Sequence, residues 1–208
     1  MKLLILGATG GIGMELVRQA LEHKHAVTAF VRSADKLRTY ARLINVVQGN
    51  PLNSRELANV TAGQDAVLSG FGPRVPIAKT DAHLLRDFGA SLTSAMRLSG
   101  VRRGIVVSTA FLFRDALFPP AYLLGRLFFP TVVADAEEME ATLRGSGLDI
   151  TIVRPPQLTD HPHTGRFRVR EEHLPRFGFK IPRADVADFI LRTAENAAYA
   201  RGVVGVCT

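Results

Sequence analysis

The chain opens on an almost unbroken apolar run, Leu3-Leu4-Ile5-Leu6, which stops at a glycine-rich turn and passes into apolar residues spaced three and four apart. This change of period, continuous and then helical, recurs along the chain. Short apolar runs fall at residues 2–6, 26–31, 44–48, 66–70, 104–108, 149–153 and 203–207. Most lack polar alternation, as strands covered on both faces do. Between them Ile12, Leu16 and Ala20 share one helical face, as do Leu84, Leu85, Phe88, Leu92 and Met96, and later Val186, Phe189, Ile190 and Thr193. Gly145 and Gly147 stand where C-cap glycines would end a helix holding Met139 and Leu143. Strands alternating with helices predict an α/β fold: one Rossmann-type, doubly wound, mostly parallel sheet with helices on both faces. Residues 1–208 read as a single domain. Between about 155 and 182 the alternation stops, and Arg, Phe, His and Pro follow in quick succession. A loop region covering the substrate is expected there.

Composition narrows the class. With 47% hydrophobic and 22% charged residues and no low-complexity tract, the chain is not a disordered one. Cys207 is the only cysteine, which excludes an internal disulfide and a multi-cysteine zinc cluster and makes a reducing cytoplasm the expected setting. The run from Leu3 to Leu6 is too short for a signal-peptide core. Residues 116–134 are the most apolar stretch, but Pro119, Pro120, Arg126 and Pro130 interrupt it. A covered loop-helix segment is expected there, with no membrane span.

The formal charge of +7 suits an anionic partner: nucleic acid, membrane lipid or a phosphorylated cofactor. Bulk charge does not choose among them. The stretch Arg166-Phe167-Arg168-Val169-Arg170 interleaves cations with apolar residues, and a half-exposed strand explains it better than nucleic-acid binding. His161 and His163 form a His-x-His pair, but no third ligand stands at a recognisable spacing, so a solvated loop is expected and no metal.

The motif with chemical content is Gly7-Ala8-Thr9-Gly10-Gly11-Ile12-Gly13, between the first strand and the first helix. Glycines there let backbone approach a pyrophosphate, which rests on the N-H groups and positive end of the helix. An NAD site places Asp or Glu at the end of the second strand for the ribose hydroxyls. This chain has Arg32 and then Lys36, which favour a 2′-phosphate and hence NADPH, with NADH the weaker choice. Asp35, the nearest acid, is expected inside the following helix, where it offsets the dipole.

These residues resemble the atypical short-chain dehydrogenase/reductases, in particular the branch containing biliverdin reductase B, a flavin reductase, and the NmrA-like NAD(P)H-binding proteins. The likeness covers nearly the whole chain. It is carried by the glycine loop, Val31-Arg32 with Lys36, the block 62–67, Gly72-Pro73-Arg74, Thr109-Ala110-Phe111-Leu112, Arg154-Pro155-Pro156 and Thr164-Gly165. It implies that Thr9, Gly10, Gly11 and Ile12 meet the pyrophosphate and that Asn50, Pro51 and Leu52 meet the adenine. By the same likeness Phe71, Gly72 and Arg74 line the ribose and phosphate path, and Pro155, Pro156, Gln157 and Leu158 form the turn that orients the nicotinamide. Thr109 matches the family's hydroxyl beside that ring. Two departures stand out: Asn50 replaces the usual Asp and precedes Pro51, which has no N-H, and no histidine stands at Gln157 as in the vertebrate flavin reductase. Biliverdin reduction is therefore not carried over.

Carbonyl reduction needs a proton donor, which short-chain dehydrogenases supply as Ser with Tyr-x-x-x-Lys. This chain offers only Ser108 with Tyr122 and Arg126, and arginine is a permanent cation that does not replace the lysine. Tyr122 packing in an apolar helix is the preferred reading. Flavins and quinones demand less, because the charge of an added hydride delocalises over the ring. The expectation is thus an NADPH-dependent reductase of a flavin, quinone or similar planar acceptor. In it Thr109 and Ser108 are the candidate catalytic hydroxyls, while Phe111, Phe113 and the late loop form an apolar slot. The rivals are an NmrA-like sensor that binds dinucleotide without turnover and an epimerase-like enzyme. Monomer and dimer both remain open.

Overall fold

A computed structural model describes residues 1–73, 83–113 and 129–208. Each predicted strand is present: β1 (Lys2–Leu6), β2 (Ala26–Val31), β3 (Asn45–Gln48), β4 (Ala66–Ser69), β5 (Arg103–Val107), β6 (Asp149–Arg154) and, last in the chain, β10 (Val203–Cys207). The helices between them are α1 (Gly11–Glu22), α2 (Ser54–Thr61), α3 (Leu84–Ser99), α4 (Pro130–Arg144) and α5 (Arg183–Glu195). Three short strands add to these: β7 (Gln157–Thr159), β8 (Arg168–Glu171) and β9 (Lys180–Pro182).

The main sheet runs β3-β2-β1-β4-β5-β6-β10-β8, parallel except that β8 lies antiparallel on β10 at the edge. This is the doubly wound Rossmann-type arrangement that the alternation of periods predicts. Successive residues of β1 face opposite layers. Leu3 and Ile5 join the cluster under α1 and α5, with Leu16, Val186 and Ile190. Leu4 and Leu6 join the cluster under α2, α3 and α4, with Phe88, Leu92 and Met139. All four are fully buried, and each such side chain stabilises the fold by about 1.5–3 kcal/mol relative to exposure. The chain leaves β1 in one direction for β2 and β3 and returns to its other side with β4. The carboxyl ends of β1 and β4 thus flank the switch point, where open α/β sheets bind ligands.

Local chemistry fixes the element ends. Asn53 caps α2, its side-chain oxygen accepting from the N-H of Arg55 at 3.1 Å and of Glu56 at 3.3 Å. Gly100 ends α3 in the left-handed region, φ +75°. Gly145 caps α4 with ordinary helical backbone, and the left-handed residue is Gly147. Asp35 opens a 3-10 turn, Asp35–Tyr40, and its carboxylate accepts from Ser33 and Arg38.

Residues 155–182 hold more regular structure than their composition suggests. β7 and β9 pair in parallel as a separate two-stranded sheet, with Leu158 opposite Ile181. At three residues each they are too short for any period to show. β8 is the half-exposed strand expected from the Arg-Val-Arg alternation, with Val169 packed inward.

Candidate dinucleotide site

One cavity of about 530 Å³ opens at the switch point. Its floor is the loop after β1. Gly7 takes φ +71°, its carbonyl accepts from the Gly10 N-H at 2.9 Å, and the Gly10 carbonyl accepts from the Met14 N-H at 2.9 Å. Gly10 caps α1 without a side chain, and no acid stands in the first turn. The N-H groups of that turn therefore have no side-chain acceptor among the described residues and remain available to an anion.

The glycines have separate reasons. A side chain at Gly7 would strike backbone of Gly70 and Phe71, and one at Gly13 would strike the Gly7 backbone. At Gly11 the obstacle is instead the stem of Arg183, the first residue of α5. Arg183 lines the cavity and donates to the Asp160 carboxylate. The sequence reading missed it. The available signal was a cation in a first helical turn, which opposes the helix dipole unless an anion sits nearby.

Of the residues expected at the cofactor, Gly7, Thr9, Gly10, Gly11, Ile12, Arg32, Pro51, Phe71, Gly72 and Leu158 line the cavity. Phe30, Ser33, Leu85, Val132 and Ala136 also line it, without a signal in the motifs. Gly13 lies behind the loop. Lys36 stands beside it, its Nζ donating to the Thr9 carbonyl at 3.5 Å. Asn50 and Leu52 turn toward α2: the Asn50 N-H donates to Glu56 at 2.9 Å, and the Leu52 N-H donates to the Asn50 side chain at 3.0 Å. Pro155, Pro156 and Gln157 do not line the cavity; Pro155 accepts from Ala110, and Gln157 pairs in β7. Arg74, Tyr122 and Arg126 lie outside the described residues, with most of stretch 116–134.

At the far end, Ser108 and Thr109 follow β5 and form part of the wall. The Ser108 N-H donates to the Val153 carbonyl at 2.7 Å, which ties this corner to β6. The Ser108 Oγ is buried and has no hydrogen-bond partner among the described residues, so a ligand atom would satisfy it. Thr109 caps a short 3-10 turn, Ala110–Leu112, accepting from the Phe111 N-H at 3.3 Å and keeping its own proton to donate. Among the described residues, Phe111 and Phe113 do not form the expected slot. Phe113 is buried under the Arg154 guanidinium, 4.6 Å from its ring centre, and Phe111 stacks on Phe129; neither lines the cavity.

No Asp or Glu lines the described cavity, whereas Arg32 and Arg183 do. The late loop is held by α5. The buried Asp185 carboxylate accepts from the N-H groups of Thr164 and Gly165, and Asp188 pairs with His163 at 2.9 Å and with Arg192. Burial pushes the Cys207 thiol up despite Arg168, which disfavours the reactive thiolate.

A profile described as NAD(P)H-binding matches residues 7–197, from the glycine loop to the end of α5. The chain belongs to this NAD(P)H-binding family. Its relatives include an uncharacterised chloroplastic protein of Arabidopsis thaliana, 31% identical over 82% of this chain. The match spans 64% of that protein's length. The uncharacterised sugar epimerase YhfK of Bacillus subtilis is 30% identical, over 96% of this chain and 92% of its own. Among solved structures, a Veillonella parvula short-chain dehydrogenase/reductase in complex with NADP shares the fold at a TM-score of 0.80 and 22% identity, covering 100% of this chain and 94% of that one. The anaerobilin reductase ChuY of Escherichia coli O157:H7 does so at 0.79 and 24%, covering 100% and 97%. Membership bears out the resemblance to atypical short-chain dehydrogenase/reductases. Among the described residues, no helix is long and apolar enough to cross a membrane.

Proposed function

We propose that the chain is an NADPH-dependent reductase that delivers hydride to a flavin, quinone or similar planar acceptor. The observation that carries the reading is Arg32, lining the cavity at the end of β2 where an acid would select NADH, with no described acid in the wall. Arg32 and Lys36 hold the 2′-phosphate, as charge-assisted contacts do. The first-turn N-H groups of α1 hold the pyrophosphate, and the Arg183 guanidinium adds to them when it leaves Asp160. Pro51 would back the adenine, Phe71 and Gly72 would line the ribose path, and Leu158 would meet the nicotinamide, all four lining the cavity.

NADPH supplies a hydride, that is, two electrons and one proton's worth of hydrogen, to the acceptor ring. The acceptor's second hydrogen comes from water. The Ser108 hydroxyl would donate to the carboxamide or to an acceptor oxygen, and the neighbouring Thr109 hydroxyl would offer a second donor. Residues 155–182 cover the acceptor within a single 1–208 unit.

Purified protein is mixed with NADPH and a panel of FMN, riboflavin and quinones while absorbance at 340 nm is followed. Oxidation with at least one acceptor is expected. Saturable NADPH binding without oxidation by any of them would assign the chain instead to dinucleotide sensing. That second reading draws on a described cavity wall with neither carboxyl nor phenol to donate a proton.

A further inference from the structure

Away from the cavity, where α1 ends and β2 begins, two histidines and a glutamate converge. Glu195 Oε1 lies 2.8 Å from His23 Nδ1 and 2.8 Å from His25 Nε2, and the three atoms all fall within 4.8 Å of one another. His25 Nδ1, the other ring nitrogen, stands 3.2 Å from the Met1 amine. We propose that His23, His25 and Glu195 form a binding site for one divalent transition-metal ion of the zinc class.

The donor geometry fits. Tetrahedral ligands bonded to zinc at about 2.0–2.1 Å stand about 3.3 Å apart, so the two 2.8 Å separations would open by about half an ångström to admit the ion. Two imidazoles and a carboxylate are the donors that zinc, copper and nickel prefer, and three protein ligands leave a position for water. The His23 and Glu195 side chains are partly open to solvent, which gives the ion a path in.

Two features of the backbone bring the three side chains together. Lys24, between the histidines, takes φ +60°, a left-handed conformation that a residue with a Cβ adopts at a cost. That turn sets both rings toward Glu195; the N-H groups of His23 and His25 donate to the carbonyls of Gln19 and Ala20 at 2.9 Å. Glu195 is the last residue of α5, where its charge opposes the negative helix end. A bound dication would add to the compensation that His23 and His25 already give that charge. It would also bridge α1 and α5, which pack together behind the glycine loop.

The test is a calorimetric titration of zinc chloride into the full chain, previously stripped with EDTA. One ion per chain is expected, with affinity at least tenfold weaker in His23→Ala and in Glu195→Gln and unchanged in His161→Ala. Circular dichroism checks that each variant folds. The unmodified chain provides a second measurement: its melting temperature rises with zinc and returns when EDTA is added. No saturation by zinc, copper or nickel, or equal affinity in the His23→Ala variant, overturns the proposal.

Discussion

The stem of Arg183 stands where a side chain on Gly11 would begin, so the first residue of α5 presses on the first residue of α1 at the mouth of the cavity. Gly13 faces something less yielding, the backbone of Gly7. Gly11→Ala asks a flexible side chain to swing aside, whereas Gly13→Ala asks the loop itself to move. Gly13→Ala is expected to weaken NADPH binding more than a hundredfold and to lower stability by about 1–3 kcal/mol. Gly11→Ala is expected to weaken binding about tenfold. Fluorescence titration with NADPH and urea unfolding read both, and equal effects would refute the distinction.

Arg32→Glu places an acid where the cavity has none. A charge-assisted contact is worth about 1.5–3 kcal/mol, so NADPH affinity should fall at least tenfold while NADH affinity holds or rises. Calorimetry with both nucleotides checks this. A parallel loss for both would mean that Arg32 does not read the 2′-phosphate.

How much was legible beforehand follows from where information is stored. β1, α1 and the glycine loop declare themselves locally, through a doubly buried apolar run and a helix start. Arg183 could not be placed this way, because its meeting with Gly11 joins residues far apart in the chain. Ser108 was named for a triad it does not visibly complete; its relevance lies in a buried hydroxyl without a partner, which only packing reveals. Phe113 packs under Arg154, away from the cavity, a pairing of residues far apart in the chain. β7 and β9 escaped notice because three residues carry no measurable period.

Arg154 and Glu140 form a second, deeper relationship. Their side chains are 12% and 4% exposed and meet through two hydrogen bonds, with Arg154 Nε at 2.9 Å from Glu140 Oε1. Glu140→Ala would strand a guanidinium over Phe113, at a cost of about 3–5 kcal/mol in urea unfolding. Glu140→Leu combined with Arg154→Met should recover most of that loss. A small effect of Glu140→Ala would show that water reaches the guanidinium.

Acid should expose the contribution of Glu195. Burial pushes its carboxyl up, but the hydrogen bonds and charges of His23 and His25 outweigh this and hold it below the ordinary carboxylate value. A depressed folded pKa gives stability that is complete above the unfolded value of about 4.3 and is lost as pH falls through the lower folded value. The stability gap between the parent chain and Glu195→Gln, measured in EDTA, should therefore close as pH falls below about 4.3. A gap that persists at the acid end would contradict the direction of the shift.

The small β7–β9 sheet works like a clasp: it holds Gln157 beside Lys180, Leu158 beside Ile181 and Thr159 beside Pro182. It keeps Leu158 at the cavity and Arg183 over the glycine loop, while β8 on β10 and Thr164 on Asp185 anchor the stretch in between. A graft of residues 160–179 between relatives must therefore carry those two anchors with it, and only the residues outside them are free to vary.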